Sequence, residues 1–403
     1  MHADMPMIDR VHFENFKSLQ DVALHLKRLT ALVGPNGCGK SSVLQGMRML
    51  SLTGVKSPTD RAHAEPWGRF ASIYKDPQAA QRLIHHGRAG TMALGMRHSD
   101  GDELRVIYVP HDQDSYHAGF HVEVDPAPPL RCSLPPLSPA GRLSRTTESW
   151  NLIQATLDHE RVQKFASTAY LRLDAGMMVR TTIANDEIPR MESEGSGLAS
   201  ALAWMKGAAE DELAQITADL RSVVPGVKRI KTYRERVANR RMEKMNIDGQ
   251  PLWRPVDETA IGDRFAIEFD DGFEVPSDLL SEGTVLALGL LTKLREPGRP
   301  RLFLLDDIDR GLHLGGQVKL IQVLRTLMDL DPELQIVCTT HSPYLLDLFE
   351  PAEVRVLALD AQRRTHARPL TEHPDFGKWK FGTQTGELWA ALGEEWVLAG
   401  AAG

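Results

Sequence analysis

A glycine-rich segment near the start of the chain carries residue types that bind nucleotide phosphates. The run Gly34-Pro-Asn-Gly-Cys-Gly39-Lys40-Ser41 fits the pattern GxxxxGK[ST], whose glycines let backbone N–H groups turn toward phosphate oxygens. In this pattern Lys40 reaches the β- and γ-phosphates, and the Ser41 hydroxyl binds Mg²⁺. A chance glycine-rich turn is the alternative, but strand-like and helix-like patterns flank the run as a phosphate-binding loop requires. The residues predicted to contact the nucleotide here are Gly34, Pro35, Asn36, Gly37, Cys38, Gly39, Lys40, Ser41 and Ser42.

Two aspartates end the apolar run LFLLDD. A phosphate-binding loop needs a carboxylate at the end of a neighbouring strand to complete the Mg²⁺ shell, and Asp306 suits that role. Asp307 would then orient or deprotonate the attacking water. A buried strand followed by an acidic turn is the alternative interpretation.

Two weaker motifs follow the same logic. Ser281, Glu282 and Gly283 precede a helical pattern, where a Ser and a Gly can form an anion site, although taken alone these residues are better explained as an N-cap with a capping Glu. His341 follows a buried-strand pattern, which places it on the ligand side of an open α/β sheet. A structural histidine is the alternative there.

Strand patterns alternate with helical ones around these motifs. Strands are predicted at 8–16, 29–33, 265–269, 301–307, 335–341 and 354–359, and helices at 40–50, 279–294 and 314–328. This alternation predicts an α/β fold with a mostly parallel sheet. Pro- and Gly-rich residues 126–141 suggest a linker. We expect four regions: 1–60 with the phosphate-binding loop, a β-rich part with linker at 61–140, a helical and basic lobe at 141–260, and 261–403 with the remaining motifs.

Composition narrows the class of protein. Lys and Arg number 47 against 54 Asp and Glu, a net charge of −7, which excludes a wholly basic nucleic-acid-binding surface. Three Cys cannot form a disulfide framework, so a reducing cytoplasm fits best. The sequence contains no apolar run long enough to span a membrane and no secretory signal pattern.

Together the motifs resemble the ABC-type ATPase superfamily, and within it the RecF, SMC and OLD group. The segments that carry the resemblance are FENFKSL, LTALVGPNGCGKSSVL, LLSEGT, LFLLDDIDRGLHL and QIVCTTHSPYLL, in the expected order. The ending TGELWAALGEEWV resembles the tail of small stand-alone bacterial ATPases of this group. The resemblance implies a P-loop ATPase head with an inserted, mainly helical lobe.

The resemblance also implies a role for each motif. Gly34 to Ser41 would be Walker A, Asp306 Walker B, Ser281 to Gly283 the signature motif, and His341 the switch histidine at the γ-phosphate. Asp307 stands where the family has a catalytic Glu, which implies slow hydrolysis or a site shaped for ATP-gated switching. The family's Q-loop Gln has no clear match, with Gln78 and Gln81 as candidates.

A homodimer follows from the resemblance, because the signature of one subunit caps the ATP held by Walker A of the other.

The implied function is a cytoplasmic ATP hydrolase that gates DNA repair or anti-phage defence. Its partner would be DNA or a separately encoded nuclease or effector. The alternatives are the motor subunit of a membrane transporter and a regulatory ATPase that restrains a toxin. The DxD at Asp307 and Asp309 suggests a Toprim nuclease, but only about sixty residues follow His341, so we expect an ATPase subunit without its own nuclease.

Three further features have structural alternatives. The basic run 227–244 predicts DNA contact, or else a solvated helix face or strand edge, through Lys228, Arg229, Lys231, Arg234, Arg236, Arg240 and Arg241. Trp389 and Trp396 would dock a partner or pack on the chain's own sheet. A polar loop is favoured over a metal site at His111, Asp112, Asp114 and His117.

Overall fold

The computed structural model describes residues 7–52, 91–109, 119–125, 130–134, 159–184, 186–247, 250–379 and 384–399. The strands are β1 (Ile8–Phe16), β2 (Leu19–His25), β3 (Leu29–Val33), β4 (Met92–His98), β5 (Glu103–Val109), β6 (Gly119–Asp125), β7 (Leu130–Leu134), β8 (Thr168–Leu171), β9 (Val227–Ile247), β10 (Gln250–Phe269), β11 (Glu274–Pro276), β12 (Leu302–Leu305), β13 (Gln335–Thr339), β14 (Val354–Leu359) and β15 (Thr365–Pro369). The helices are α1 (Lys40–Leu52), α2 (Glu160–Gln163), α3 (Ala175–Met178), α4 (Leu198–Ala208), α5 (Glu210–Val223), α6 (Glu282–Arg295), α7 (Leu314–Leu330), α8 (Pro343–Leu346), α9 (Phe376–Trp379), α10 (Thr385–Leu392) and α11 (Glu395–Ala399).

The chain divides into two compact units. Unit 1 comprises Met1–Tyr170, Pro300–Asp309 and Arg325–Gly403, and unit 2 comprises Leu171–Arg299 and Arg310–Leu324. The α/β fold predicted from the sequence is confirmed. The Q-loop candidates Gln78 and Gln81 and the metal-like group at residues 111–117 lie outside the described residues.

The sheet of unit 1 that carries the motifs has the strand order β15-β14-β3-β13-β12-β8. Strands β12, β13, β3 and β14 are parallel, and β15 returns antiparallel to β14. Every residue of β3, β12 and β13 is buried, as expected for parallel strands that are covered on both faces. Because parallel strands end at one edge, the segments that follow β3, β12 and β13 meet there.

The second sheet of unit 1 is antiparallel, with the order β2-β1-β4-β5-β6-β7. Its buried side chains join those of α1 and of the parallel sheet in one apolar core, which includes Phe13, Phe16, Leu44 and Met47. Burial of such side chains contributes roughly 1.5–3 kcal/mol each. The stretch 126–141, expected to be a linker, contains β7, which pairs with β6 and extends this sheet.

Unit 2 combines helices with a long β-hairpin. Strands β9 and β10 pair antiparallel from Gln250↔Ile247 down to Phe269↔Val227, and β11 pairs with the end of β10. The region had been expected to be mainly helical, and the hairpin is the difference. Neither face of the hairpin is buried along most of the described length of β9, so selection for an apolar period of two is weak and the strand leaves little signal.

Candidate functional site

The edge of the parallel sheet gathers the predicted catalytic residues. The loop after β3 holds the glycine-rich segment, Asp306 and Asp307 follow β12, and His341 lies two residues beyond β13. Strand β13 lies between β3 and β12, so the three segments are neighbours.

The glycines of this loop are required by its backbone. Gly34, Gly37 and Gly39 have φ values of +142°, +81° and +107°, a region that other residues rarely adopt. A Cβ on Gly34 would lie 2.1 Å from the Leu357 carbonyl oxygen, and one on Gly39 would lie 2.6 Å from the Thr365 hydroxyl. Around Gly37 nothing lies within 4 Å of the position of a Cβ. The loop is therefore tightly packed at its two ends and open in its middle, as a phosphate cradle requires.

Lys40 is buried inside this loop. Its Nζ donates hydrogen bonds to the carbonyl oxygens of Gly34 at 2.8 Å and Pro35 at 3.1 Å, and the residue is 6% exposed. These carbonyls replace part of the hydration that the ammonium loses on burial. The ammonium thus lies against the loop whose backbone N–H groups are predicted to contact a phosphate.

The Thr365 hydroxyl on β15, which is paired with the hydroxyl of Ser18, braces the loop. The Thr365 Oγ1 donates to the Cys38 carbonyl at 2.9 Å and lies 2.8 Å from the Ser18 Oγ. The buried Cys38 thiol has a raised pKa, caused mainly by desolvation, so it stays protonated at neutral pH. Cys38 is therefore a packing residue of the loop and not a nucleophile.

Asp306 is held by hydroxyl groups from one helix and two strands. Its Oδ1 accepts hydrogen bonds from the Ser41 Oγ at 3.0 Å and the Thr339 Oγ1 at 2.9 Å. Its Oδ2 accepts one from the Tyr170 hydroxyl at 3.3 Å. Ser41 and Asp306, predicted separately as metal ligands, are thus brought together.

Mg²⁺ fits this arrangement. In proteins it is usually bound by one or two protein oxygens, substrate phosphate and water, and a serine hydroxyl beside a carboxylate supplies that donor set. Within the described part of the chain, no group of three or more His, Cys, Asp or Glu is placed to hold a metal ion.

Asp307 and His341 are both exposed at this edge. Asp307 has φ +55°, a left-handed conformation that Asp adopts more readily than most residues. Its backbone N–H donates to the Thr339 Oγ1 at 2.8 Å, so the turn is tied to β13. The backbone of Asp307 is therefore fixed, and its carboxylate is exposed at the edge of the sheet.

The signature-like turn belongs to unit 2. The Ser281 Oγ accepts from the Thr284 N–H at 3.3 Å and caps α6, so the N-cap interpretation is correct for this side chain. Glu282 pairs with Arg310 at 2.9 Å, with about half of each side chain exposed. A Cβ on Gly283 would lie 2.2 Å from the Gly311 carbonyl oxygen, so the turn and residues 310–311 are packed backbone to backbone.

The basic run lies on β9, and its cations at the base of the hairpin are already paired. Lys228, Arg229 and Lys231 surround Glu268 at 2.7–2.8 Å. Their hydrogen bonds, with that of Lys228 the largest cause, lower the pKa of Glu268 to about 2. The Arg234 side chain is 81% exposed and lies 3.8 Å from Asp263.

The remaining predicted DNA contacts lie further along β9. Arg236 is exposed, while the side chains of Arg240 and Arg241 lie outside the described part. At the base of the run, around Lys228, Arg229 and Lys231, the structure agrees with the alternative of a strand edge.

Of the two C-terminal tryptophans, Trp396 packs on its own unit. Trp396 is 7% exposed, with Arg368 stacked 5.7 Å from its ring centroid and His373 edge-on at 5.1 Å. Trp389 lies half-buried on α10. The packing interpretation therefore holds for Trp396.

Three positioning side chains escaped sequence reasoning. Thr339 lies within a quoted motif but carried no role, and Thr365 and Tyr170 belong to no motif. All three act through hydroxyl groups on strands, where Thr and Tyr are common for packing reasons alone. Only the pairing of β13, β15 and β8 with their neighbours reveals them.

Two family models match parts of the chain. Residues 165–347 match the model described as "AAA domain, putative AbiEii toxin, Type IV TA system", and residues 7–81 match "AAA ATPase domain". An OLD nuclease of Thermus scotoductus is 38% identical over 60 residues, which is 13% of this chain and 11% of the nuclease.

Solved structures of similar outline are SMC head domains. One, bound to the C-winged helix domain of ScpA, has a TM-score of 0.46 at 14% identity and covers 90% of this chain and 98% of its own. Another, with an extended coiled coil and bound to the C-terminal domain of ScpA from Pyrococcus furiosus, has a TM-score of 0.49 at 11% identity, covering 93% and 99%.

Within the part of the chain that the structure describes, none of the helices is both long and apolar enough to cross a bilayer. The two family models and the local relative agree with the ordered motifs and with the geometry at the sheet edge. Over residues 7–81 and 165–347 the chain is similar to AAA-family ATPases, and these matches support an ATPase of the RecF, SMC and OLD-like type.

Proposed function

We propose that the protein binds and slowly hydrolyses ATP with Mg²⁺, and that ATP joins two copies whose closure gates a DNA-directed or effector-directed process. The observation that carries this proposal is the meeting of Lys40, Ser41, Asp306 and Asp307 at one sheet edge, with Ser41 and Asp306 3.0 Å apart. The matched families are ATPase families, which supports hydrolysis as the chemistry.

The chemistry follows from the groups at this edge. The open N–H groups of the loop and the N-terminus of α1 attract the phosphates, and Lys40 exchanges its carbonyl partners for phosphate oxygens. Bound Mg²⁺, held by Ser41 and Asp306, would neutralise charge on the β- and γ-oxygens. Asp307 accepts a proton from the attacking water as its oxygen bonds to the γ-phosphorus and the bond to the β-phosphate oxygen breaks. His341 donates to the γ-phosphate.

The slow rate follows from Asp307. An Asp carboxylate reaches one methylene less far than Glu, and here its backbone is fixed by Thr339. A water placed for attack would therefore lie further from the base than in a site built around Glu, and general-base efficiency depends on that distance.

Closure would depend on the signature turn of a second copy. Ser281, Glu282 and Gly283 would face the γ-phosphate held by the first copy, so each site needs two chains. ATP then favours the closed pair through contacts that the open pair lacks, and loss of the γ-phosphate removes them.

The process served is proposed from the relatives. An OLD nuclease and a type IV toxin–antitoxin family description both favour defence or repair, with DNA or a separately encoded effector as the partner. The family description also favours a second candidate, in which the ATPase restrains a toxin partner. Neighbouring genes and co-purified proteins distinguish the two.

The test is an ATPase assay combined with DNA filter binding, using wild type, Lys40→Ala and Lys319→Ala. Lys319 is exposed on α7 and serves as the matched control. We expect Mg²⁺-dependent hydrolysis, and ATP-dependent capture of DNA or of a co-purified effector, in wild type and control alone. Equal capture by Lys40→Ala would contradict the gated mechanism.

A further inference from the structure

Tyr170 links Asp306, the Walker B carboxylate, to the helix that follows the phosphate-binding loop. It lies on the edge strand β8, is 8% exposed, and points its hydroxyl at the Asp306 Oδ2 at 3.3 Å. The Leu302 N–H donates to the Ser167 carbonyl just before β8, and Tyr170 contacts the residue just after β12. The two strands therefore run in the same direction, and Tyr170 reaches the catalytic edge.

The two oxygens of Asp306 have separate partners. Ser41 and Thr339 donate to Oδ1, and Tyr170 donates to Oδ2. A phenol is a neutral donor, so it fixes the plane of the carboxylate without cancelling its charge. A Lys or Arg at the same place would compete with a cation for that charge.

Arg48 holds the phenol in place from the helix side. Its guanidinium carbon lies 5.0 Å from the centre of the Tyr170 ring, within the range of a cation–π contact. Arg48 and Ser41 are seven residues apart on α1, which is about two helical turns, so they lie along the same side. Helix α1 thus reaches Asp306 twice, directly through Ser41 and indirectly through Arg48 and Tyr170.

We propose that Tyr170 is a positioning residue of the Mg²⁺ site, which orients Asp306 so that its Oδ1 faces Ser41. Arg48 supports it by fixing the ring. This inference rests on the proposed ATPase function, because the metal site belongs to that reaction. Partners that orient a ligand are worth about 10- to 100-fold in metal affinity.

The experiment compares Tyr170→Phe with Tyr233→Phe in the full chain. Tyr233 also donates its hydroxyl to a carboxylate, Glu274 at 2.5 Å, but on the hairpin of unit 2, so it is the matched control. Electron paramagnetic resonance measures Mn²⁺ binding in the presence of a non-cleavable ATP analogue. A fluorescent nucleotide measures nucleotide binding in EDTA.

We expect Tyr170→Phe to raise the Kd for Mn²⁺ about tenfold and to change the nucleotide Kd in EDTA less than twofold. Arg48→Met should raise the Mn²⁺ Kd by about threefold. The effect is smaller because Arg48 acts on Asp306 only through the Tyr170 ring. Tyr233→Phe should match wild type.

Two results would overturn the inference, and they are distinguishable. If wild type and Tyr170→Phe hold Mn²⁺ with equal affinity, Tyr170 has no positioning role while the proposed ATPase stands. If wild type holds no Mn²⁺ with the nucleotide, the proposed function fails and takes the inference with it. Should Tyr170→Phe unfold in a thermal melt, an unchanged Mn²⁺ Kd in Arg48→Met would count against the inference.

Discussion

The phosphate-binding edge and the signature turn are built in different ways. At the edge, Lys40 is buried against carbonyl groups and Asp306 is bonded by hydroxyls from Ser41, Thr339 and Tyr170. At the turn, Ser281 caps its own helix, and the neighbouring Glu282 pairs with Arg310 across half-exposed side chains.

The difference concerns preorganisation. Groups held by a buried network need little rearrangement when charge arrives, which is how a binding site stabilises a phosphate and its metal. Exposed ion pairs such as Glu282–Arg310 contribute little stability, about 0–1 kcal/mol, and open at small cost. In the proposed function, the preorganised edge would receive the nucleotide, and the exposed turn would act on contact with a second copy.

Removing the buried ammonium should have the largest effect. Lys40→Ala is expected to lower the ATP hydrolysis rate about 1,000-fold, because the charge that stabilises the transferred phosphate is lost. A phosphate-release assay measures the rate, with Lys319→Ala as the control. Retention of more than about a tenth of the wild-type rate would show that the preorganised edge is not the catalytic centre.

Changing the base should have the next largest effect. Asp307→Asn keeps the left-handed backbone, which Asn tolerates, but cannot accept the proton, so hydrolysis should fall about 100-fold. ATP affinity, measured by isothermal titration, should stay within about twofold, because binding depends on Lys40 and the loop. A parallel loss of affinity would mean that Asp307 binds nucleotide and does not act as the base.

A substitution in the signature turn should separate the two regions. In Gly283→Ala the new methyl would meet the Gly311 carbonyl, forcing the turn away from residues 310–311 at a cost of about 1–3 kcal/mol. Hydrolysis should fall about tenfold while a single chain still binds ATP. Gly207→Ala, on α4 where a Cβ meets open space, is the matched control and should stabilise by about 0.5–1 kcal/mol. Loss of ATP binding in Gly283→Ala would contradict this prediction, because it would show that the signature turn also takes part in ATP binding by a single chain.

The smallest effect concerns the base of the hairpin, which contains neither the predicted catalytic residues nor the signature turn. The pKa of Glu268 falls from 4.5 to about 2 through its bonds to Lys228, Lys231 and Arg229. Its contribution to stability is thus complete above pH 4.5 and is lost as the pH falls toward 2. Thermal unfolding should therefore show Glu268→Gln melting below wild type at pH 7, with the gap closing between pH 4.5 and 2. A gap that persists at pH 2 would contradict this assignment.

The parallel sheet and its edge could be predicted because strands buried on both faces appear in the sequence as short runs of apolar residues. Val354–Leu359 was predicted with its observed bounds, and Leu29–Val33 likewise, since short apolar runs between turns leave few alternatives. Asp306 and Ser41 could be assigned to one Mg²⁺ site in advance. The phosphate-binding pattern gives Ser41 its role, and it requires a carboxylate at the end of a neighbouring strand.

The hairpin and the positioning hydroxyls could not be predicted in the same way. Strand β9 is polar on both faces along most of its described length, so its period is hidden, and its run of cations is equally compatible with a helix. The role of Tyr170 depends on which strand pairs with β12, and no short sequence pattern predicts the order of strands in a sheet.

The central claim is that two chains share each nucleotide, and sedimentation of Asp307→Asn tests it most directly. With Mg²⁺ and saturating ATP the account predicts the mass of two chains, with ADP the mass of one, and with Ser281→Arg added to the variant the mass of one under both conditions. A single-chain mass with ATP bound, or a two-chain mass that Ser281→Arg leaves unchanged, would contradict it.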